Sequence, residues 1–190
     1  MLKTIALILA LLCVTRHAAD RQVTRHTAQL LRVSAGFDRH SPAEQQRIAG
    51  ALVRAARGAG LPLSWLLATC DVETRFTPGA ISRGGAGIAQ QLPRFSGYWS
   101  DRCWDDTEDR PLCSWADSRA HNLTAAELAA NVEHAARIAA RQLAFLVERY
   151  GVEQAAPRYF GGPRGYQTER AQAYAAAWQA RADFWGRRVH

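Results

Sequence analysis

The sequence predicts a mainly α-helical domain with little or no β-sheet. Two capping boxes, Ser41-Pro42-Ala43-Glu44 and Thr124-Ala125-Ala126-Glu127, each precede apolar residues at helical spacing. No segment alternates apolar and polar residues over the length of a long strand. With 190 residues, of which 48% are hydrophobic, the chain is long and apolar enough to form one domain with a substantial core.

Residues 1–19 are typical of an export signal. Lys3 supplies a positive start, and the apolar stretch from Thr4 to Val14 has the length of a signal-peptide core. It is short for a transmembrane helix, but the residues before Ala18 are not ideal for cleavage. The segment is therefore expected to be a signal peptide or an uncleaved N-terminal anchor. Membrane contact is expected only if the segment is uncleaved. The protein is expected in the periplasm or cell envelope.

The first half of the domain is predicted to contain two helices. Residues 20–40 are expected to form a spacer or a leading helix, and residues 41–190 form the domain proper. The first capping box opens a helix that ends at the glycines of residues 58–60. A second helix runs from about Leu61 to Glu73. Residues 77–87 are rich in glycine and are predicted to be irregular.

The second half is predicted to contain a long helix, a turn and a last helix. The second capping box opens a helix expected to continue to about Tyr150, because apolar residues recur at helical spacing until Gly151. A short segment then leads to a turn at Phe160-Gly161-Gly162-Pro163. An alanine-rich helix is expected over about Thr168 to Phe184.

The cysteine pattern favours a disulfide over a metal site. Cys103 and Cys113 close a short segment and are the natural pair in an oxidising compartment. A zinc site would need two further ligands, and only His121 lies nearby in the sequence. Cys70 falls on a predicted helix and is expected to be a small buried residue.

The charge distribution argues against nucleic acid as a partner. The net charge of +7 comes almost wholly from arginine, since Lys3 is the only lysine. The arginines are scattered, and no aromatic and basic residues alternate as they do in a base-stacking surface. The basic balance suits an anionic polymer of another kind.

Glu73 is the strongest candidate for a chemical role. It stands at the end of an apolar helix and just before the glycine-rich segment, so its carboxyl is expected to be half buried. Burial disfavours the charged form and raises the pKa, which suits a general acid near neutral pH. Taken alone, the position also fits an ordinary exposed glutamate at a helix end.

Several short motifs between residues 60 and 178 occur in a characteristic order. They are Glu73-Thr74, Phe76, Pro78, Ala80, Ser82, Gly85-Ala86, Gly87-Ile88-Ala89-Gln90, Pro93, Asn131-Val132 and Tyr159-Phe160-Gly161-Gly162-Pro163. In type and spacing this set resembles the lytic transglycosylase domain of the soluble type (SLT domain), part of the lysozyme-like superfamily. The departures are threonine for serine at 74, alanine for methionine at 89, one residue fewer before Gly87, and phenylalanine for asparagine at 160.

The resemblance implies a lysozyme-like helical domain and a peptidoglycan lytic transglycosylase. Glu73 would protonate the glycosidic oxygen between N-acetylmuramic acid and N-acetylglucosamine, and would then take the proton of the sugar's own 6-hydroxyl. That hydroxyl closes onto C1 as a 1,6-anhydro end, so no water, second carboxylate, cofactor or metal is required. By the same resemblance Gln90 and Tyr159 line the substrate groove. Thr74 is expected to help to orient Glu73.

Several residues and the function itself have alternative interpretations in the sequence. Trp99, Trp104 and Trp115 are expected either to stack on sugar rings or to pack a disulfide-closed flap. A lysozyme-type hydrolase would need a second carboxylate, for which residues 101–108 offer candidates. A non-catalytic wall-binding subunit of an envelope complex is a further alternative. By its size the protein resembles enzymes that open the wall for conjugation, secretion or pilus assemblies.

Overall fold

The structure is a computed structural model that describes residues 21–34, 37–105 and 110–189. Within these ranges the chain is one mainly α-helical domain with a single two-stranded sheet, which confirms the predicted fold class. The export signal expected at residues 1–19 lies outside the described residues. No helix of the described ranges is both long enough and apolar enough to cross a membrane.

Eight α-helices are described, together with three short 3-10 helices and two short strands. The helices are α1 (residues 21–31), α2 (Pro42–Gly58), α3 (Leu63–Thr74), α4 (Pro93–Ser96), α5 (Ala125–Ala130), α6 (Val132–Tyr150), α7 (Val152–Gly165) and α8 (Glu169–Gly186). The 3-10 helices are Phe37–Arg39, Gly97–Trp99 and Asp117–His121. Strands β1 (Trp104–Asp105) and β2 (Arg110–Pro111) pair antiparallel, with Trp104 opposite Pro111.

Side-chain caps fix the starts of the predicted helices. The Ser41 hydroxyl accepts a hydrogen bond from the Glu44 amide, and Pro42 occupies the first helical position of α2. Thr124 and Glu127 form the complete reciprocal capping box of α5. The predictions of helices that begin near these two boxes are therefore confirmed.

The prediction of one unbroken helix from Thr124 to Tyr150 is wrong. Asn131 has an extended backbone (φ −121°, ψ 93°), and its side-chain oxygen accepts a hydrogen bond from the His134 amide. This cap starts α6 and ends α5, because a capping side chain competes with continuation of the helix. The turn predicted at Phe160-Gly161-Gly162-Pro163 is present as a break within α7. Gly162 has a non-helical backbone (φ 65°, ψ −169°), and the helix continues after it to Gly165.

Helix α3 lies at the centre of the domain and packs along α8 and against α2 and α6. Its Leu66 and Leu67 are fully buried. Two tryptophans of α8 donate hydrogen bonds to α3. The Trp178 indole N–H donates to the Thr69 hydroxyl (2.9 Å). The Trp185 indole N–H donates to the Asp71 carboxylate (3.1 Å). The helix that carries Glu73 is thus held by both apolar packing and buried hydrogen bonds.

A second, smaller apolar cluster lies beneath the segment closed by the disulfide. Its buried members are Ala86, Trp99, Trp104, Leu128 and Ile138. Because it joins the glycine-rich segment to α5 and α6, it fixes the segment after Glu73 against the rest of the domain.

Candidate active site

Glu73 lies in the last turn of α3, where the chain makes a sharp exit from the helix. Arg75 and Phe76 both have left-handed backbones (φ 51° and 61°). Such conformations are costly for residues other than glycine and persist only where the surroundings impose them. Packing of the Phe76 ring imposes the conformation here. Phe76 is fully buried, and its ring lies edge-on to Phe37 and to Trp185 at centroid distances of 6.0 and 5.7 Å.

The Glu73 side chain is half buried, as the sequence predicted. Burial raises its pKa to about 7, while the Tyr174 hydroxyl acts in the opposite direction and lowers it. No carboxylate in the described ranges contributes to this shift. The carboxyl is therefore partly protonated at neutral pH, as a general acid requires.

Tyr159 of α7 is anchored by its hydroxyl to the segment that follows Glu73. The hydroxyl donates to the Ala89 carbonyl (3.0 Å) and accepts a hydrogen bond from the Gln91 side-chain amide. Burial is the largest cause that holds the pKa of Tyr159 well above its usual value, and the charge of Glu73 adds to it. Tyr159 is thus a neutral, partly buried group close to Glu73.

Thr74 makes its hydrogen bonds to the backbone. Its hydroxyl lies 2.6 Å from the Ile88 carbonyl and 3.3 Å from the Cys70 carbonyl, and it accepts from the Thr77 amide. No hydrogen bond joins Thr74 to Glu73 in the described part of the chain. Thr74 therefore connects the end of α3 to the segment carrying Gln90 and so fixes both next to each other.

Gln90 directs its side-chain amide into its own segment. The amide donates to the carbonyls of Ala80 (3.3 Å) and Gly87 (3.2 Å). Its backbone is left-handed (φ 49°). Gly87 makes the segment compact: its φ is 76°, and a β-carbon there would lie 2.7 Å from the Leu128 carbonyl oxygen. The neighbouring Gln91, rather than Gln90, contacts Tyr159.

Tyr174 and Gln91 are two site residues that the sequence analysis missed. Tyr174 is 8% exposed, and its hydroxyl faces the Glu73 carboxyl, whose charged form it stabilises. Both residues fall among ordinary helix or loop positions, so no local signal distinguishes them. Only the packing of α7 and α8 around α3 reveals them.

Of the candidates for a second carboxylate in residues 101–108, the structure describes Asp105, which lies in β1, and Asp101, which is engaged by arginines. Asp101 accepts hydrogen bonds from Arg137 (2.6 Å) and from the buried Arg141 (2.9 Å), and His134 lies 3.0 Å away. Although burial acts to raise its pKa, the contacts with both arginines outweigh it and hold the pKa of Asp101 below its usual value. Asp101 is therefore a structural anion. Residues 106–109 lie outside the described ranges.

The tryptophans divide into two groups. Trp99 and Trp104 are buried in the smaller apolar cluster and contact each other at a centroid distance of 5.6 Å. Trp115 is 48% exposed and packs on Phe95 and Tyr98. Of the three, only Trp115 presents a surface on which a sugar ring could stack.

Cys103 and Cys113 are joined by a disulfide, with their Cα atoms 5.1 Å apart. The His121 imidazole lies close to both sulfurs. Both thiols are consumed in the covalent bond, which leaves His121 as the one ligand of this group. Cys70 is buried and reduced, as expected for a core residue.

The fold and site together define a helical domain in which a half-buried acid lies beside one buried and one partly buried tyrosine. The chain was compared with protein-family models, with curated protein sequences and with solved structures, and none of them matched.

Proposed function

We propose that this protein is a peptidoglycan lytic transglycosylase that leaves 1,6-anhydro ends on N-acetylmuramic acid. The observation that carries the proposal is the state of Glu73, whose pKa of about 7 results mainly from burial. A group with this pKa can both donate and recover a proton at neutral pH, and this reaction needs both steps from one residue.

The chemistry balances around Glu73 alone. The protonated carboxyl gives its proton to the glycosidic oxygen as the bond from that oxygen to C1 breaks, which leaves an oxocarbenium-like sugar. The resulting carboxylate takes the proton of the 6-hydroxyl while the oxygen of that group bonds to C1. Glu73 ends protonated, and no water is consumed.

The surroundings of Glu73 support a mechanism with a single carboxylate. Hydrolases of the two-carboxylate type place a second acid across the substrate from the first. Asp101 is engaged by Arg137 and Arg141, and Asp71 accepts hydrogen bonds from Ser34 (3.1 Å) and Trp185. Tyr159 and Tyr174 instead offer Glu73 a neutral polar environment.

The proposal is tested by digesting purified peptidoglycan sacculi and analysing the products by mass spectrometry. The native protein should release muropeptides with anhydromuramic ends, and Glu73→Gln should release none. Glu153→Gln, on the exposed start of α7, is the matched control and should act as the native protein does. Products with reducing ends would replace this proposal with a lysozyme-type hydrolase. A folded native protein that binds sacculi without cleaving them would replace it with a wall-binding subunit.

A further inference from the structure

An exposed aromatic ring lies one contact away from Glu73. The Phe160 ring of α7 stacks on the Tyr174 ring of α8, with centroids 4.8 Å apart and planes inclined by 21°. Tyr174 itself faces Glu73. Phe160 is 38% exposed, so part of its ring is accessible to a ligand. The apolar ring thus extends the site outward from the acid.

An arginine accompanies this ring. The Arg170 guanidinium lies 5.4 Å from the Phe160 ring centroid, within the range of a cation–π contact. Arg170 is exposed, and it takes part in no ion pair with another residue of the described ranges. The contact with Phe160 restrains a guanidinium whose hydrogen-bonding edge is available. Such a group binds carboxylates through two parallel hydrogen bonds.

We propose that Phe160 and Arg170 form a binding site for a carboxylate-bearing sugar beside Glu73. The ring of Phe160 packs against the apolar face of the sugar, and Arg170 pairs with the carboxylate. This inference rests on the proposed function and names the part of the substrate that this surface takes. The carboxylate is either the lactyl group of a muramyl sugar or an acidic group of the peptide attached to it.

The charges of the site agree with an anionic ligand. A glutamate that is partly protonated at neutral pH repels a nearby carboxylate less than an ionised one would. Tyr159 and Tyr174 are neutral at the same pH. Arg170 is therefore opposed by little negative charge on the residues that connect it to Glu73.

The test measures dissociation constants by calorimetry in the Glu73→Gln protein, which does not consume its ligands. The probes are a tetrasaccharide of alternating N-acetylglucosamine and N-acetylmuramic acid, the same tetrasaccharide with attached peptides, and chitotetraose, which has no carboxylate. Adding Arg170→Gln should raise the dissociation constant of at least one carboxylate-bearing probe by about tenfold. It should leave the dissociation constant of chitotetraose unchanged. The probe that is affected identifies the source of the carboxylate.

Two further variants complete the design. Phe160→Asn should weaken all three probes, because the stacking surface is lost. Arg188→Gln is the matched control, since Arg188 lies 3.6 Å from the Phe184 ring just beyond the far end of α8; it should change no dissociation constant. Thermal unfolding of each variant verifies that the domain is folded.

The inference is overturned if Arg170→Gln weakens the binding of chitotetraose as much as that of the carboxylate-bearing probes, or if it weakens the binding of no probe. It is equally overturned if Phe160→Asn binds all probes as before. The proposed function is judged separately, by whether the native protein releases anhydromuramic ends from sacculi. Active native protein with unaffected binding in Arg170→Gln would reject this site and keep the enzyme.

Discussion

The Thr74 hydroxyl donates a 2.6 Å hydrogen bond to the Ile88 carbonyl, which lies across the glycine-rich segment from it. This bond joins Thr74, the residue after Glu73, to Ile88, which lies two residues before Gln90. It therefore couples the position of Glu73 to the position of residues 88–90.

Replacing Thr74 tests that coupling. Thr74→Val keeps the shape of the side chain but leaves the Ile88 carbonyl without its donor. We expect a loss of about 1–2 kcal/mol in the free energy of unfolding and a slower release of muropeptides from sacculi. Thr74→Ser keeps the hydroxyl and should retain most of both. Urea unfolding and a sacculus digest measure the two effects; equal behaviour of valine and serine would show that the hydroxyl has no such role.

The raised pKa of Glu73 predicts a specific dependence of stability on pH. The folded protein holds the proton more tightly than the unfolded chain, so the unfolded state binds fewer protons between pH 4.5 and about 7. The free energy of unfolding should therefore fall as the pH rises through this window, by up to about 3 kcal/mol. Above it the loss is complete.

Glu73→Gln isolates this contribution, because glutamine remains neutral throughout. The difference in unfolding free energy between Glu73→Gln and the native protein should grow in favour of the variant as the pH rises from 4.5 to 7. Urea unfolding at matched pH values measures it, and the other titrating groups cancel in the difference. A difference that does not change with pH would contradict the raised pKa.

Tyr174→Phe should raise the pKa of Glu73 further. The Tyr174 hydroxyl lowers this pKa by stabilising the carboxylate, so its removal favours the protonated form. The fall of activity at high pH should move to a higher pH in the variant. Tyr98→Phe, a half-buried tyrosine packed on Trp99 in the smaller cluster, is the control and should leave the profile unchanged. A shift to lower pH would reverse the role assigned to Tyr174.

Asp101→Asn should separate stability from catalysis. The change removes the negative charge that partners the buried Arg141, and we expect the free energy of unfolding to fall by about 1–3 kcal/mol. The rate of glycan cleavage per folded molecule should stay close to the native rate, because Asp101 is engaged by arginines. A loss of turnover comparable to that of Glu73→Gln, in folded protein, would identify Asp101 as a second catalytic carboxylate.

The sequence by itself determined the mainly helical class and the starts of the main helices. Caps such as those of Ser41 and Thr124 join groups three residues apart, so their physics is local and can be read from the sequence. The break at Asn131 is also a local cap, but its signal is weak within a continuous helical pattern. The half-buried position of Glu73 followed from an apolar helix that ends at a turn.

Only the tertiary structure decided what surrounds the acid. Tyr174 reaches Glu73 because α8 packs along α3, and Gln91 reaches Tyr159 because α7 lies against residues 89–91. Each contact joins residues far apart in the chain, and no periodicity or capping rule links them. The pKa of Glu73 depends on how much water this packing removes from the carboxyl, which is a property of the folded domain as a whole.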